Sequence, residues 1–134
     1  MEFGTSLAIS ASGISAQSAR LRVIAENLAN ENSTGSTPGS NPYRRQTITF
    51  RDEYNHSLNT DLVQVANIGQ DETPFPTKYD PSNPAANAQG YVKLPNVNSF
   101  VELMDMQQAE RSYDANLSVM NATRGMLTRT LDLI

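Results

Sequence analysis

At 134 residues, with Leu, Ile, Val and Phe supplying only 28 of them and no Trp, the chain holds apolar material for a small core and little more. A formal net charge of −4 argues against a nucleic-acid-binding face, and the absence of Cys excludes a disulfide framework and a thiolate metal site. No run approaches 18 consecutive apolar residues, so no helical membrane span is expected, and the N-terminus lacks the basic and apolar regions of a cleaved leader.

Residues 1–30 predict a helix. Leu7, Ile14, Leu21 and Leu28 recur every seven positions, with Ala11, Ser18 and Ala25 between them and Ile24 beside them. This is the rhythm of a helix that packs along another helix. Ala, Ser and Gly13 fill much of the remainder and favour close backbone approach. Residues 31–42, rich in Ser, Thr, Gly and Pro, read as a loop and hinge.

Residues 43–98 predict a small, loop-rich β segment. Across 43–52, Ile48 and Phe50 fall on one face, with Arg45, Thr47, Thr49 and Arg51 on the other. A second strand is expected over 62–68 and a third over 91–94, while Pro74, Pro76, Pro81 and Pro84 forbid long elements between. Arg44, Arg45 and Arg51 form the one basic cluster, read as a solvated strand surface.

Residues 99–134 predict a second long helix. Ser99 followed by Glu102 has the capping-box form. Leu103, Met106, Tyr113, Leu117, Met120, Leu127, Leu131 and Ile134 then keep a three-four spacing broken only by Glu110 and Arg124. The fold expected is mainly α, with the terminal helices in an antiparallel coiled coil around a small β segment. If Leu28 lies near Leu103, Leu21 falls near Glu110, and Arg20 or Arg22 is placed to pair with that carboxylate. Apolar burial by two such helices does not clearly exceed the entropy of ordering them, so both ends are expected to be loose in the monomer and to order on assembly.

Nothing in the chain assembles into chemistry. His56 is the only histidine and lies in a polar loop, so no metal site is expected. Asp52-Glu53 and Asp71-Glu72 are neighbours in sequence, not carboxylates converging from separate elements. No serine has a nucleophile-elbow context, and Gly35 and Gly39 lack the surroundings of a phosphate loop. Neither an enzyme nor a cofactor is expected.

Specific wording adds a resemblance. Ile14-Ser15-Ala16-Gln17 and Ile24-Ala25-Glu26-Asn27-Leu28-Ala29-Asn30 are similar to the N-terminal signature of flagellar rod and hook axial proteins. Tyr79-Asp80-Pro81, Asn83-Pro84, Gly90-Tyr91-Val92 and Pro95-Asn96-Val97-Asn98 resemble the block typical of the FlgC group of that family. Arg111-Ser112-Tyr113-Asp114-Ala115-Asn116 resembles its C-terminal motif. The resemblance implies a structural subunit of the proximal rod, with an inner layer of terminal helices. It implies export by the flagellar type III apparatus without signal cleavage and a rod that crosses the periplasm. The implied partners are other proximal and distal rod proteins, the rod-to-ring adaptor and copies of the same chain. The assembly surface is expected at Leu7, Ile14, Leu21, Ile24, Leu28, Leu103, Met106, Tyr113, Leu117, Met120, Leu127 and Leu131. Two alternatives stand beside this reading: another rod subunit of the same family, or a helical adaptor or secretion-filament protein from outside the flagellum.

Overall fold

The computed structural model describes residues 2–134. In chain order the elements are α1 (Glu2–Ala29), β1 (Gln46–Asn55), β2 (Thr60–Gln70), β3 (Thr77–Tyr79), β4 (Tyr91–Lys93) and α2 (Ser99–Asp132). Two long terminal helices pack together, and a small β region fills the middle of the chain.

The start of α2 differs from the capping box expected at Ser99. Asn98 is the cap: its Oδ1 accepts the N–H of Phe100 at 3.0 Å and of Val101 at 3.4 Å, and its C=O accepts from Glu102 N. Ser99 instead donates its hydroxyl to the Glu31 carboxylate. The Glu102 carboxylate is drawn away from the helix end by a cation, described below.

β1 and β2 form one two-stranded sheet, and β3 and β4 another. Only the residues 56–59 join β1 to β2, a connection that antiparallel neighbours alone permit. Asn59 there adopts φ 54°, a left-handed conformation that Asn tolerates better than most residues. β1 begins at Gln46, later than the expected strand, because Tyr43, Arg44 and Arg45 are engaged elsewhere. β3 was not expected from the sequence; its three residues fit between Pro76 and Pro81. It pairs antiparallel with β4, Thr77 opposite Lys93 and Tyr79 opposite Tyr91. The two tyrosine rings meet edge to face, 5.3 Å apart. Gly90 precedes β4 with φ +87°, and a Cβ there would stand 2.8 Å from the Tyr79 ring and 3.2 Å from Pro81. Only glycine satisfies both the backbone angle and the contact.

The chain forms two compact units. The first comprises Met1–Arg22, Ile48–Asn67 and Met106–Ile134. Here small and polar residues line the contact between α1 and α2. Ser6 Oγ lies 3.3 Å from Thr123 Oγ1. Thr123 donates its own proton to Val119 O, so Ser6 is the donor. Asn116 occupies the space that a Cβ on Gly13 would need, its Nδ2 only 2.6 Å away. Arg20 donates to Gln108 at 3.3 Å. Ser10, Ala16, Ala109 and Thr123 are buried. The β ribbon is tied to α1 where Ser12 Oγ accepts the N–H of Val63 at 3.3 Å.

The second unit comprises Val23–Thr47 and Ile68–Asp105. Val23, Ile24, Ala85 and Val92 are its buried apolar residues, and Asn27 and Glu102 are buried with them. The helix register differs from the one expected. Asn27 lies against Glu102, two residues away from a pairing of Leu28 with Leu103. Glu110 makes no hydrogen bond or ion pair among the described residues, with Arg20 or with Arg22. The reason is steric and polar. Gly13 lets Asn116 enter the contact, and Asn27 and Glu102 share one buried cluster, which together select this register over one that stacks leucines.

Candidate assembly surface

In the second unit a polar cluster joins the end of α1, the start of β1, the chain leaving β2 and the start of α2. Asn27 uses its whole amide as a strand would use a peptide group. Nδ2 donates to Gln46 O at 2.9 Å, and Oδ1 accepts Gln46 N–H at 2.8 Å. Oδ1 also accepts the Tyr43 hydroxyl at 2.8 Å. Asn96 does the same one residue away: its Oδ1 accepts Arg45 N–H at 2.7 Å, and its Nδ2 donates to Asp71 O at 2.9 Å and Thr73 O at 3.0 Å. Two asparagines thus staple the first residues of β1 to the end of α1 and to the chain leaving β2.

Glu102 is fully buried, with no exposed side-chain surface, and Arg45 Nε donates to its carboxylate. Arg45 also lies 3.4 Å from Asp71 and 3.6 Å from Asp105, so one guanidinium serves three carboxylates. Burial alone would lower the Arg45 pKa, but Glu102, Asp71 and Asp105 together outweigh it and hold the group above its ordinary value. Arg44 lies over the Phe75 ring at 4.2 Å and donates to Asp71 O at 2.8 Å. The expected solvated basic face is therefore corrected for Arg44 and Arg45, which are partners of buried or aromatic groups. Arg51 does remain exposed, beside Glu53. Burial, with Glu26 and Glu102 nearby, pushes the Tyr43 phenol up.

Asp71 titrates below its ordinary 3.8, chiefly because Thr73 donates both hydroxyl and N–H to it, with Arg45 adding attraction. A depressed folded value means that stability is present above the unfolded value and is lost as pH falls through the folded one. Urea unfolding of Asp71→Asn should show its largest deficit against the native chain at pH 7. The deficit should shrink as pH drops below about 4. A deficit independent of pH would overturn this assignment.

Of the residues expected at the assembly surface, only Ile24 is buried within its own chain. Leu7, Ile14, Leu21, Leu28, Met106, Tyr113, Met120 and Leu127 are half-buried. Leu103 is 51% exposed, Leu117 39% and Leu131 61%. Residues outside that expected set also make contacts inside the helix pair. On α2, Glu102, Ala109, Asn116 and Thr123 recur every seven residues and face α1. That rhythm is present in the sequence, but a search for apolar stripes passes over it. The motif residues divide likewise. Asn27 and Asn96 staple β1, Asn30 donates to Glu26 O at the end of α1, and Asn116 fills the space beside Gly13. Asp80 N–H donates to Gly90 O, and Tyr79, Pro81 and Tyr91 surround Gly90. Pro95 is buried and Arg111 is exposed.

Comparison with known proteins agrees along the chain. The family model described as flagella basal body rod protein matches residues 7–35, and that described as flagellar basal body rod FlgEFG protein C-terminal matches residues 88–133. The flagellar basal-body rod protein FlgC of Agrobacterium fabrum is 50% identical over 126 residues, covering 94% of this chain and 91% of the relative. The chain belongs to the FlgC family. Two further FlgC proteins agree: that of Salmonella typhimurium is 40% identical over 125 residues, covering 93% of this chain and 92% of its own. That of Bacillus subtilis is 37% identical over 143 residues, covering 96% and 95%. Membership in the FlgC family makes this a structural rod subunit of the flagellar basal body.

Proposed function

We infer that this chain is a proximal-rod subunit whose terminal helices act as an antiparallel coiled coil inside a helical array, and that it carries no catalytic activity. The observation that supports this reading most is the division between its two sets of helix residues. Small and polar groups such as Ser6, Asn27, Glu102 and Thr123 make contacts between the helices, while Leu103, Leu117 and Leu131 are exposed. Apolar side chains left in water at helical spacing gain free energy when another helix covers them, roughly 25 cal/mol per Å². Leu7, Ile14, Leu21, Leu28, Met106, Tyr113, Met120 and Leu127 are half-covered and are completed in the same way.

The partners on this reading are copies of the chain, other proximal and distal rod proteins and the rod-to-ring adaptor. Delivery is through the flagellar export apparatus, without signal cleavage, into a rod that crosses the periplasm. A non-closing helical array needs different faces to meet on adjacent subunits. Torque then passes through many packed side chains, and no single group needs special chemistry.

Replacing Leu103, Leu117 and Leu131 together by Ser tests the division. Each is exposed, so the isolated chain should keep its unfolding midpoint, with changes within about 0.5 kcal/mol per site. Cells carrying the triple variant as their only copy should assemble few intact basal bodies and should not swim. Normal swimming would sink the reading. A second measurement addresses order before assembly. In the monomer, the amides of residues 2–20 and 115–134 should exchange with deuterium far faster than those of 23–47, and they should become protected in purified rods. Strong protection of both ends in the monomer would remove the idea that assembly orders them.

A further inference from the structure

In the first unit, α1 and α2 flank a groove of about 700 Å³ lined by Ile14, Ser18, Arg22, Tyr113, Leu117 and Met120, among others. Its walls are mostly apolar, and its one charged lining residue is Arg22. Arg22 is exposed and has neither hydrogen bond nor counter-ion among the described residues. On the outward side of α2, Glu110 and Asp114 are likewise exposed and unpartnered among the described residues. One chain therefore carries both halves of an electrostatic match and satisfies neither.

We propose that this groove receives α2 of a second copy of the chain, with the neighbour's Glu110 set against Arg22 and its Asp114 against Ser18. The proposal rests on the reading above that copies of the chain assemble together, and it names the surface. The spacing fits. Glu110, Asp114, Leu117 and Asn121 follow the same four-three-four rhythm as Ala11, Ser15, Ser18 and Arg22. Laid antiparallel, Glu110 meets Arg22 and Asp114 meets Ser18. The first carboxylate thus falls on the guanidinium and the second on a hydroxyl. Charge complementarity of this kind sets register and rejects wrong neighbours, since like charges brought together repel. The contact is heterologous, because a face of α2 meets a groove and not its own copy, as an open helical array requires.

The chain has no cysteine, which gives a clean test. Cells lacking the native chain are made to co-express Arg22→Cys and Glu110→Cys as separate copies, and their basal bodies are purified and oxidised. A disulfide-linked dimer containing one of each supports the proposal. Both variants present in basal bodies with no such dimer overturns it, as does an equally strong dimer from Glu110→Cys alone, which would mark a self-matching contact. Charge reversal is the second arm. Arg22→Glu should lower the yield of intact basal bodies about tenfold, and adding Glu110→Arg should restore it. No recovery in the double variant, with each single variant still folded, counts against the pairing. Basal bodies from native cells are probed in parallel for this chain. Its absence there would overturn the rod-subunit reading itself, and the groove with it, whereas its presence with no dimer overturns the groove alone.

Discussion

Arg45→Met is expected to destabilise the chain by about 3–5 kcal/mol, the range for removing one partner of a buried ion pair. Glu102 has no exposed surface, and Arg45 is the cation against it. Methionine fills much of the same space but leaves that carboxylate buried without a positive partner. Asp71 and Asp105 lose their shared guanidinium too, although both are partly exposed and water compensates them in part. Most of the loss should therefore be traceable to Glu102. Adding Glu102→Gln to Arg45→Met removes the uncompensated charge and should recover more than half of the deficit, whereas Asp105→Asn added to Arg45→Met should recover little. Urea unfolding of these three variants and the native chain provides the comparison. A single-variant cost below about 1 kcal/mol would show that the ion pair is replaceable by solvent.

The second large effect is expected at Asn27. Asn27→Ala removes the donor to Gln46 O and the acceptor for both Gln46 N–H and Tyr43 O–H. At about 1 kcal/mol net per bond, and more where a group is left buried and unpaired, the cost should be about 2–4 kcal/mol. Asn27→Asp separates geometry from charge. It keeps the acceptor oxygen but replaces Nδ2, 3.5 Å from the Glu102 carboxylate, with a second acid. Its instability should therefore ease as pH falls toward the carboxylate range, whereas that of Asn27→Ala should not. Equal pH profiles for the two variants would mean that repulsion with Glu102 is absent.

These two sites show why the polar cluster was not legible in the sequence. Asn27 and Asn96 stood out as words shared with a family, but their partners are backbone groups of Gln46, Arg45, Asp71 and Thr73, which no spacing rule connects. Arg45 looked like one of three solvated bases on a strand. It is folded inward because the start of α2 carries Glu102, 57 residues later, into a fully buried position. The same long-range pull moved the helix cap. With Glu102 engaged by Arg45, Asn98 takes the first free N–H groups of α2 in place of Ser99.

What the sequence by itself determined are the local and periodic features. Two long helices follow from sustained seven-residue spacing, the loop after α1 follows from its Gly, Pro and Ser content, and β1, β2 and β4, though not β3, follow from runs of β-branched and aromatic residues. Family membership was legible too, because it rests on wording and not on contact. Tertiary structure alone decided which side of each helix meets the other. Apolar spacing nominated Leu7, Ile14, Leu21 and Leu28 against Leu103, Glu110 and Leu117, while the folded chain joins Ser6, Gly13 and Arg20 to Thr123, Asn116 and Gln108. A stripe records that a face gains by being covered, and it carries no information about whether the cover comes from the same chain. The choice is made by close approach at Gly13 and by hydrogen bonds that must be satisfied once their groups leave water, and these leave Leu103, Leu117 and Leu131 exposed.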